Sequence, residues 1–320
     1  MNLALTALLP FCVALLVSSL VTPRLAALCH RTGLLDEGDS GRAMHESPTP
    51  RLGGLAVAAA FFAALTAAGL TGQQAADLLL SDGRRVLALV VGGIAALTLG
   101  AIDDVRPLRP TTKLLGQTAI ALVAASLGLR IVLVSLPVLG SFQLDLLAVP
   151  LTVVWLVLVM NAINLIDGLD GLATGVSLTV VIALLAVSIG NEMGAGVLLG
   201  AALAGALLGF LRHNAPPASI FLGDSGSLFL GYALGAWSLF AWQKSATGIA
   251  VLSIVATFGL PLLDVAFALS RRLLAGRNLL GPDADHFHHR LARGGLGPRR
   301  SALVLVLLAA IGTAAAVALA

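Results

Sequence analysis

Ten runs of roughly 17 to 23 predominantly apolar residues follow one another along this chain with only short polar breaks, and that succession allows little besides a bundle of membrane-crossing helices. About 20 residues at ~1.5 Å per residue cross a ~30 Å hydrocarbon core, where every backbone amide and carbonyl has to be satisfied within the segment. With 58% hydrophobic and 11% charged residues and a mean hydropathy of +0.99, a water-soluble globular fold is excluded. The expected fold is all-α and polytopic, one membrane-embedded domain over residues 1–320. Its ten spans are expected near 3–22, 52–70, 84–102, 113–129, 147–164, 172–190, 194–211, 227–243, 247–269 and 301–319.

The run from Leu3 to Thr22 lacks a basic leader and a small-residue cleavage site, so it reads as the first span rather than a signal peptide. Cys12 and Cys29 have no CxxC spacing and no nearby His, which implies neither disulfide nor zinc. Residues 131–146 alternate around Pro137 and Gly140, the pattern of a short extramembrane hairpin between the fourth and fifth spans. Pro150 and Pro261 lie within apolar runs and are expected to bend or break those helices. With loops alternating sides, 15 of the 19 Lys and Arg residues fall on one side, which the positive-inside rule makes cytoplasmic, with both termini outside. Twelve of the 16 Asp and Glu and all six His fall there too. Carboxylates contribute little to topology, so their clustering on that side points to a site.

Four polar constellations carry the chemistry. Asp103-Asp104, with Lys113 opening the next span, offers two adjacent carboxylates that resist joint ionisation unless a cation offsets them. They read as metal ligands, as a tuned base, or as a solvated helix end. Asn161, Asn164 and Asp167 recur at spacing three, along one helix face at the cytoplasmic end of the fifth span, followed by Gly168, Asp170 and Gly171. Acids so near hydrocarbon normally have partners or a function. The segment from Asn214 through Phe221 to Gly223-Asp224-Ser225-Gly226-Ser227 sets one carboxylate among small residues, with room for phosphate or a divalent ion and with Ser227 able to cap the following helix; an Asx turn explains it equally well. The longest polar segment, 271–300, holds Arg271, Arg272, His286, His288, His289 and Arg290. Those donors suit a diphosphate, while zinc and a lipid-headgroup patch are the competing readings. The first loop adds Arg42, His45 and Arg51 ahead of Gly53 and Gly54. His30 and His213 stand outside any polar cluster and read as interfacial residues.

RAMHESPTPRLGG, AIDDV with KLLGQ, NAINLIDGLDGL, NAPPASIFLGDSGSLFLG, PLLDVAFALSRR and DHFHHR occur in this order between about residues 36 and 300. Together they resemble the polyprenyl-phosphate N-acetylhexosamine-1-phosphate transferase family. The resemblance implies transfer of a sugar 1-phosphate from a UDP-sugar to polyprenyl phosphate, releasing UMP, with Mg2+ (or Mn2+) as cofactor. It makes Asp224 the main metal ligand, with Asp103 and Asp104 as further ligands that orient or deprotonate the lipid phosphate, and Lys113 the neutralising cation. Asp167, Asp170 and Asn214 would line the nucleotide pocket with Phe221 stacked on uracil. Asn161, Asn164, Arg42, His45, Arg271, Arg272, His286, His288, His289 and Arg290 would engage the diphosphate or the sugar.

The HFHHR block is closer to the WecA-like branch than to the consecutive histidines of the MraY-like branch, which implies a UDP-N-acetylglucosamine donor ahead of the muramoyl-pentapeptide one. DEGDSGR departs from the family's usual proline after Asp36, and WecA-like members often have an eleventh span where ten are expected here. The expected partners are the donor, the lipid acceptor, the bilayer and, by analogy, a second copy in a homodimer, with no nucleic acid. The expected location is the bacterial inner membrane with the site facing the cytoplasm, initiating a cell-envelope glycan. A transporter of an anionic solute is the competing class, but the acids lie at span ends rather than mid-membrane and no inverted repeat is visible.

Overall fold

The computed structural model describes residues 3–36, 48–71, 73–136, 140–244, 258–274 and 291–318. Eleven α-helices dominate them: α1 Leu3–Thr32, α2 Gly53–Thr71, α3 Gln73–Ser81, α4 Gly83–Val105, α5 Pro110–Ser126, α6 Ala148–Ile166, α7 Leu172–Gly190, α8 Gly194–Asn214, α9 Gly223–Lys244, α10 Gly259–Leu274 and α11 Gly297–Ala318. Among the described residues, seven helical segments are long and apolar enough to cross a membrane, so the chain is a multi-pass membrane protein.

Helix ends follow local chemistry. α1 runs past Pro23 and Arg24, ten residues beyond the expected end, and stops where Gly33 takes φ +72° and the Leu34 amide returns to the Cys29 carbonyl at 3.0 Å. That is a Schellman closure, which needs a residue tolerant of positive φ. Pro150 neither bends nor breaks α6. It sits in the first turn, where a missing amide costs no intrahelical bond. Pro261 likewise falls in the first turn of α10, and the run 247–259 preceding it lies largely outside the described residues. Two short antiparallel pairs complete the fold: β1 (Leu35–Asp36) with β2 (Thr49–Pro50), and β3 (Leu133–Leu136) with β4 (Gly140–Gln143). The second joins α5 to α6 at the end of the bundle away from the residues described below. The short helix α3 was not expected from the sequence.

Helix α9 is the axis of the core. It packs on α2, α4, α6 and α7, and Leu228, Phe229, Tyr232 and Trp237 along it are fully buried. Glycines make this approach close: a Cβ on Gly54 of α2 would overlap the Gly226 backbone, one on Gly100 of α4 would overlap Asp224, and one on Gly231 would lie 2.5 Å from the Met160 Cα of α6. A second small-residue seam, Gly205 and Gly209 on α8, lets α1 approach with Ser18 Oγ donating to the Ala206 carbonyl at 2.7 Å. Such small-xxx-small spacing is what packs helices where lipid removes the usual hydrophobic drive. Polar ties reinforce the axis: Tyr232 Oη donates to the Ala88 carbonyl at 2.7 Å, and Trp155 Nε1 to Ser238 Oγ at 3.0 Å.

Overpacking at such a contact costs about 1–3 kcal/mol. Gly54→Ala should therefore lower the thermal midpoint of the detergent-purified protein by several degrees, whereas Gly69→Ala, whose Cβ meets nothing within 4 Å, should leave it unchanged or slightly raised. Differential scanning fluorimetry on both variants checks this.

Candidate active site

Four helix ends converge: the C-terminal turns of α4 and α6 and the N-terminal turns of α5 and α9. Lys113, in the first turn of α5, is at the centre. Its ammonium bonds the Asp103 carboxylate at 2.9 Å, the Asn164 amide oxygen at 3.1 Å, and the Asp224 carboxylate. Asn164 Nδ2 donates to Asp224 at 2.6 Å and to Ser227 Oγ at 2.8 Å. Asp103, Lys113, Asn164, Asp224 and Ser227 thus form one connected polar network at one end of the bundle.

Asp104 plays a different part from its neighbour. One carboxylate oxygen accepts the Asp224 amide at 2.8 Å and the other the Ser225 amide at 2.9 Å. It therefore caps α9 from 120 residues away, satisfying two of the amides that every helix N-terminus leaves open. Gly223 makes this possible with φ +74°, since a Cβ there would strike the Arg51 carbonyl and the Asp104 carboxylate. Asp103 is held by the Leu108 amide at 2.6 Å, which folds the α4–α5 turn back over it before Pro110 starts α5.

The loop between α8 and α9 is pinned from several sides. Asn214, 3% exposed, accepts from Thr174 Oγ1 at 2.7 Å and donates to the Ile220 carbonyl at 3.0 Å. Asp170 accepts the Ala218 amide at 2.9 Å. The segment 50–54 then pairs with it through the main chain: Phe221 N to Pro50 O (2.8 Å), Gly53 N to Phe221 O (3.0 Å) and Gly54 N to Leu222 O (2.8 Å). Asp167 leaves the end of α6 partly exposed. Burial, followed by the charges of Asp224 and Asp104, pushes its carboxyl well above the usual carboxylate range, with the Gly223 amide acting the other way.

Among the described residues no three His, Cys, Asp or Glu side chains close into a cage. Asp103 and Asp224 do present oxygens to one shared cationic position, now filled by the Lys113 ammonium. Two carboxylates on one side suit Mg2+, which keeps several waters and completes its shell with substrate phosphate oxygens. The donor set fits.

Comparison with known proteins places this architecture. Residues 86–241, from α4 to α9 and including the whole network, match the model of glycosyl transferase family 4. A probable undecaprenyl-phosphate N-acetylglucosaminyl 1-phosphate transferase of Bacillus subtilis is 38% identical over 313 residues, covering 97% of this chain and 84% of the relative. This chain belongs to glycosyl transferase family 4. A decaprenyl-phosphate N-acetylglucosaminephosphotransferase of Mycolicibacterium smegmatis is 38% identical over 288 residues, 83% of this chain and 70% of the relative. A phospho-N-acetylmuramoyl-pentapeptide-transferase of Clostridium kluyveri is 29% identical over 304 residues, 91% of each chain.

Within this family framework, Asp103, Asp104, Lys113, Asn164 and Asp224 meet in the structure, and Asp167 ends α6 on the same side, three residues after Asn164. Asn214 and Asp170 hold the α8–α9 loop by internal bonds, and Phe221 lies in the main-chain pairing. Arg271 and Arg272 end α10, partly buried. Arg42, His45, His286, His288, His289 and Arg290 lie outside the described residues.

Ser227, expected only as a cap, bonds Asn164 directly, and Gln117 was not singled out at all. Gln117 is fully buried one turn after Lys113, and its Oε1 accepts from Asn161 Nδ2 at 2.6 Å. The i, i+4 spacing from Lys113 was the available signal. Asp264, 2% exposed in α10, belongs to the PLLDVAFALSRR block but carries no expected role, though an acid inside an apolar helix is itself a signal.

The Gln117–Asn161 bond zips α5 to α6 one turn from the Lys113–Asn164 contact. Gln117→Leu leaves the Asn161 amide without that partner, and loss of a buried hydrogen bond costs about 1–3 kcal/mol. Turnover should fall roughly tenfold with substrate Michaelis constants little changed, and Gln117→Glu should fall further by adding charge to an acidic centre. Steady-state kinetics on both variants checks this.

Proposed function

We propose that the chain transfers N-acetylglucosamine 1-phosphate from UDP-N-acetylglucosamine to undecaprenyl phosphate or a similar polyprenyl phosphate, releasing UMP and forming a lipid diphosphate sugar. The observation that carries this is the Lys113-centred network: an ammonium, two facing carboxylates and an amide fixed at four helix ends. Phosphoryl transfer needs alignment and charge neutralisation more than covalent chemistry, and that is what such a network supplies. The Bacillus and Mycolicibacterium relatives support the donor by the sugar their names carry, at higher identity than the muramoyl-pentapeptide relative.

In this reading Asp103 and Asp224 hold Mg2+, which when bound offsets charge on the donor diphosphate. Lys113 supports both carboxylates and neutralises phosphate. Asn164 and Ser227 fix the orientation of Asp224, while Asp104 sets the start of α9 and acts through position. Asp167, whose carboxyl is pushed upward first by burial and then by the charges of Asp224 and Asp104, lines the nucleotide side of the same centre.

Helices α5, α9 and α10 complete ten spans with the seven apolar ones, and α3 is a short connecting helix packed on α2, α4 and α8. The abundance of Lys and Arg on the network's side supports a cytoplasmic site in a bacterial inner membrane, where nucleotide sugars are available. A single membrane domain and a homodimer complete the proposal.

UMP release by the purified protein, given undecaprenyl phosphate, UDP-N-acetylglucosamine and Mg2+, tests it. Lipid-dependent UMP is expected, falling by about 10² or more in Asp224→Asn and Asp103→Asn and lost on chelation of the metal. Turnover only with the muramoyl-pentapeptide donor would move the substrate; none with any UDP-sugar would refute the reading.

A further inference from the structure

Arg51 takes no part in the network described above, yet its backbone is among the most firmly placed in the molecule. The residues on either side of it are bonded to the α8–α9 loop through Pro50, Gly53 and Gly54, and its carbonyl is packed against Gly223, next to Asp224. Its side chain is 46% exposed. One guanidinium nitrogen, Nη2, contacts Asp36 at 2.6 Å, and Asp36 itself is 25% exposed. The Arg51 carbonyl and the Asp104 carboxylate both abut Gly223, which places this residue at the rim of the acidic centre.

An ion pair this open to water stabilises little. Nor is it needed to hold the chain, since three main-chain bonds and the β1–β2 pair already do so. What the pair does accomplish is orientation of a five-donor fork beside a centre where Asp103, Asp104 and Asp224 outnumber the Lys113 ammonium. A nucleotide diphosphate approaching that centre adds further negative charge. A guanidinium with exposed donors at the rim is the group that receives it, because the planar fork matches phosphate oxygens two at a time.

We infer that Arg51 is a diphosphate-binding residue that rests on Asp36 and exchanges this carboxylate for donor phosphate oxygens when the nucleotide sugar binds. The inference rests on the proposed UDP-sugar donor. No bond is made or broken; one charge-assisted contact replaces another. Asp36 then sets how readily Arg51 is released, and the two members of the pair have opposite effects on donor binding. If the pair only stapled β1 to β2, removing either partner would have the same effect.

The test is the dissociation constant for UDP-N-acetylglucosamine with Mg2+, by isothermal titration calorimetry on the full-length protein. It is accompanied by Michaelis constants for donor and for undecaprenyl phosphate. Arg51→Gln is expected to weaken donor binding about tenfold, with the lipid Michaelis constant unchanged. Arg51→Lys, which keeps the charge but not the fork, should fall between. Asp36→Asn is expected to leave donor binding intact or tighten it by up to about fivefold, the most an exposed pair withholds.

Equal weakening in Arg51→Gln and Asp36→Asn would overturn the exchange in favour of a staple. Unaltered donor affinity in Arg51→Gln, with wild-type binding intact, would overturn the assignment while leaving the proposed reaction standing. Folded wild-type protein that binds no UDP-sugar would overturn both.

Discussion

The Asp104 carboxylate, with one oxygen on each of the Asp224 and Ser225 amides in the first turn of α9, is the contact on which the rest of the site depends. A helix beginning near the membrane surface has open amides that cost free energy if they are desolvated unpaired. Supplying the acceptor from α4 satisfies them and at the same time fixes where Asp224 emerges relative to Asp103, one residue before the cap. Lys113 can then bridge the two carboxylates without further adjustment. Gly100, Gly223 and Gly226 are the steric counterpart, since a methyl group at any of them would hold α9 away from α4 or α2.

Much of the bundle was legible because apolar runs of membrane length carry a strong signal. The limits of that signal appear at specific residues. The apolar run of the first span stops at Thr22, but Pro23 removes only one hydrogen bond from a helix whose other turns remain intact, and Arg24 donates back to the Leu20 carbonyl at 2.6 Å. The nine residues of α3 are too few and too mixed to stand out from a loop; the helix is held by contact with α2, α4 and α8, which no local pattern reveals.

The site was legible in parts for the same physical reason. Asn161 and Asn164, three apart, do face one neighbour: the first meets Gln117 and the second Lys113, both on α5. Asp103 and Asp104 look equivalent in sequence and are separated only by the fold, where one faces the ammonium and the other the α9 amides. The aspartate of GDSGS was ambiguous alone because its partners lie 60, 111 and 120 residues away. The resemblance makes Asn214 a pocket residue, yet both ends of its amide are engaged, one by Thr174 of α7 and the other by the Ile220 carbonyl of the following loop. Family membership brings the chemistry, but only the geometry separates residues that hold the frame from those that face the centre.

Every polar contact of the network lies within about two turns of a helix end, and the long apolar bodies of α4, α5, α6 and α9 contribute no side chain to it. Chemistry and bilayer fit are therefore carried by different stretches of the same helices. The outer halves, tied to one another by the Tyr232–Ala88 and Trp155–Ser238 contacts, meet changes in hydrocarbon thickness at the end of the bundle remote from the Asp104 clasp. A chain built in this way can serve membranes of different lipid composition without redesigning the place where the reaction occurs.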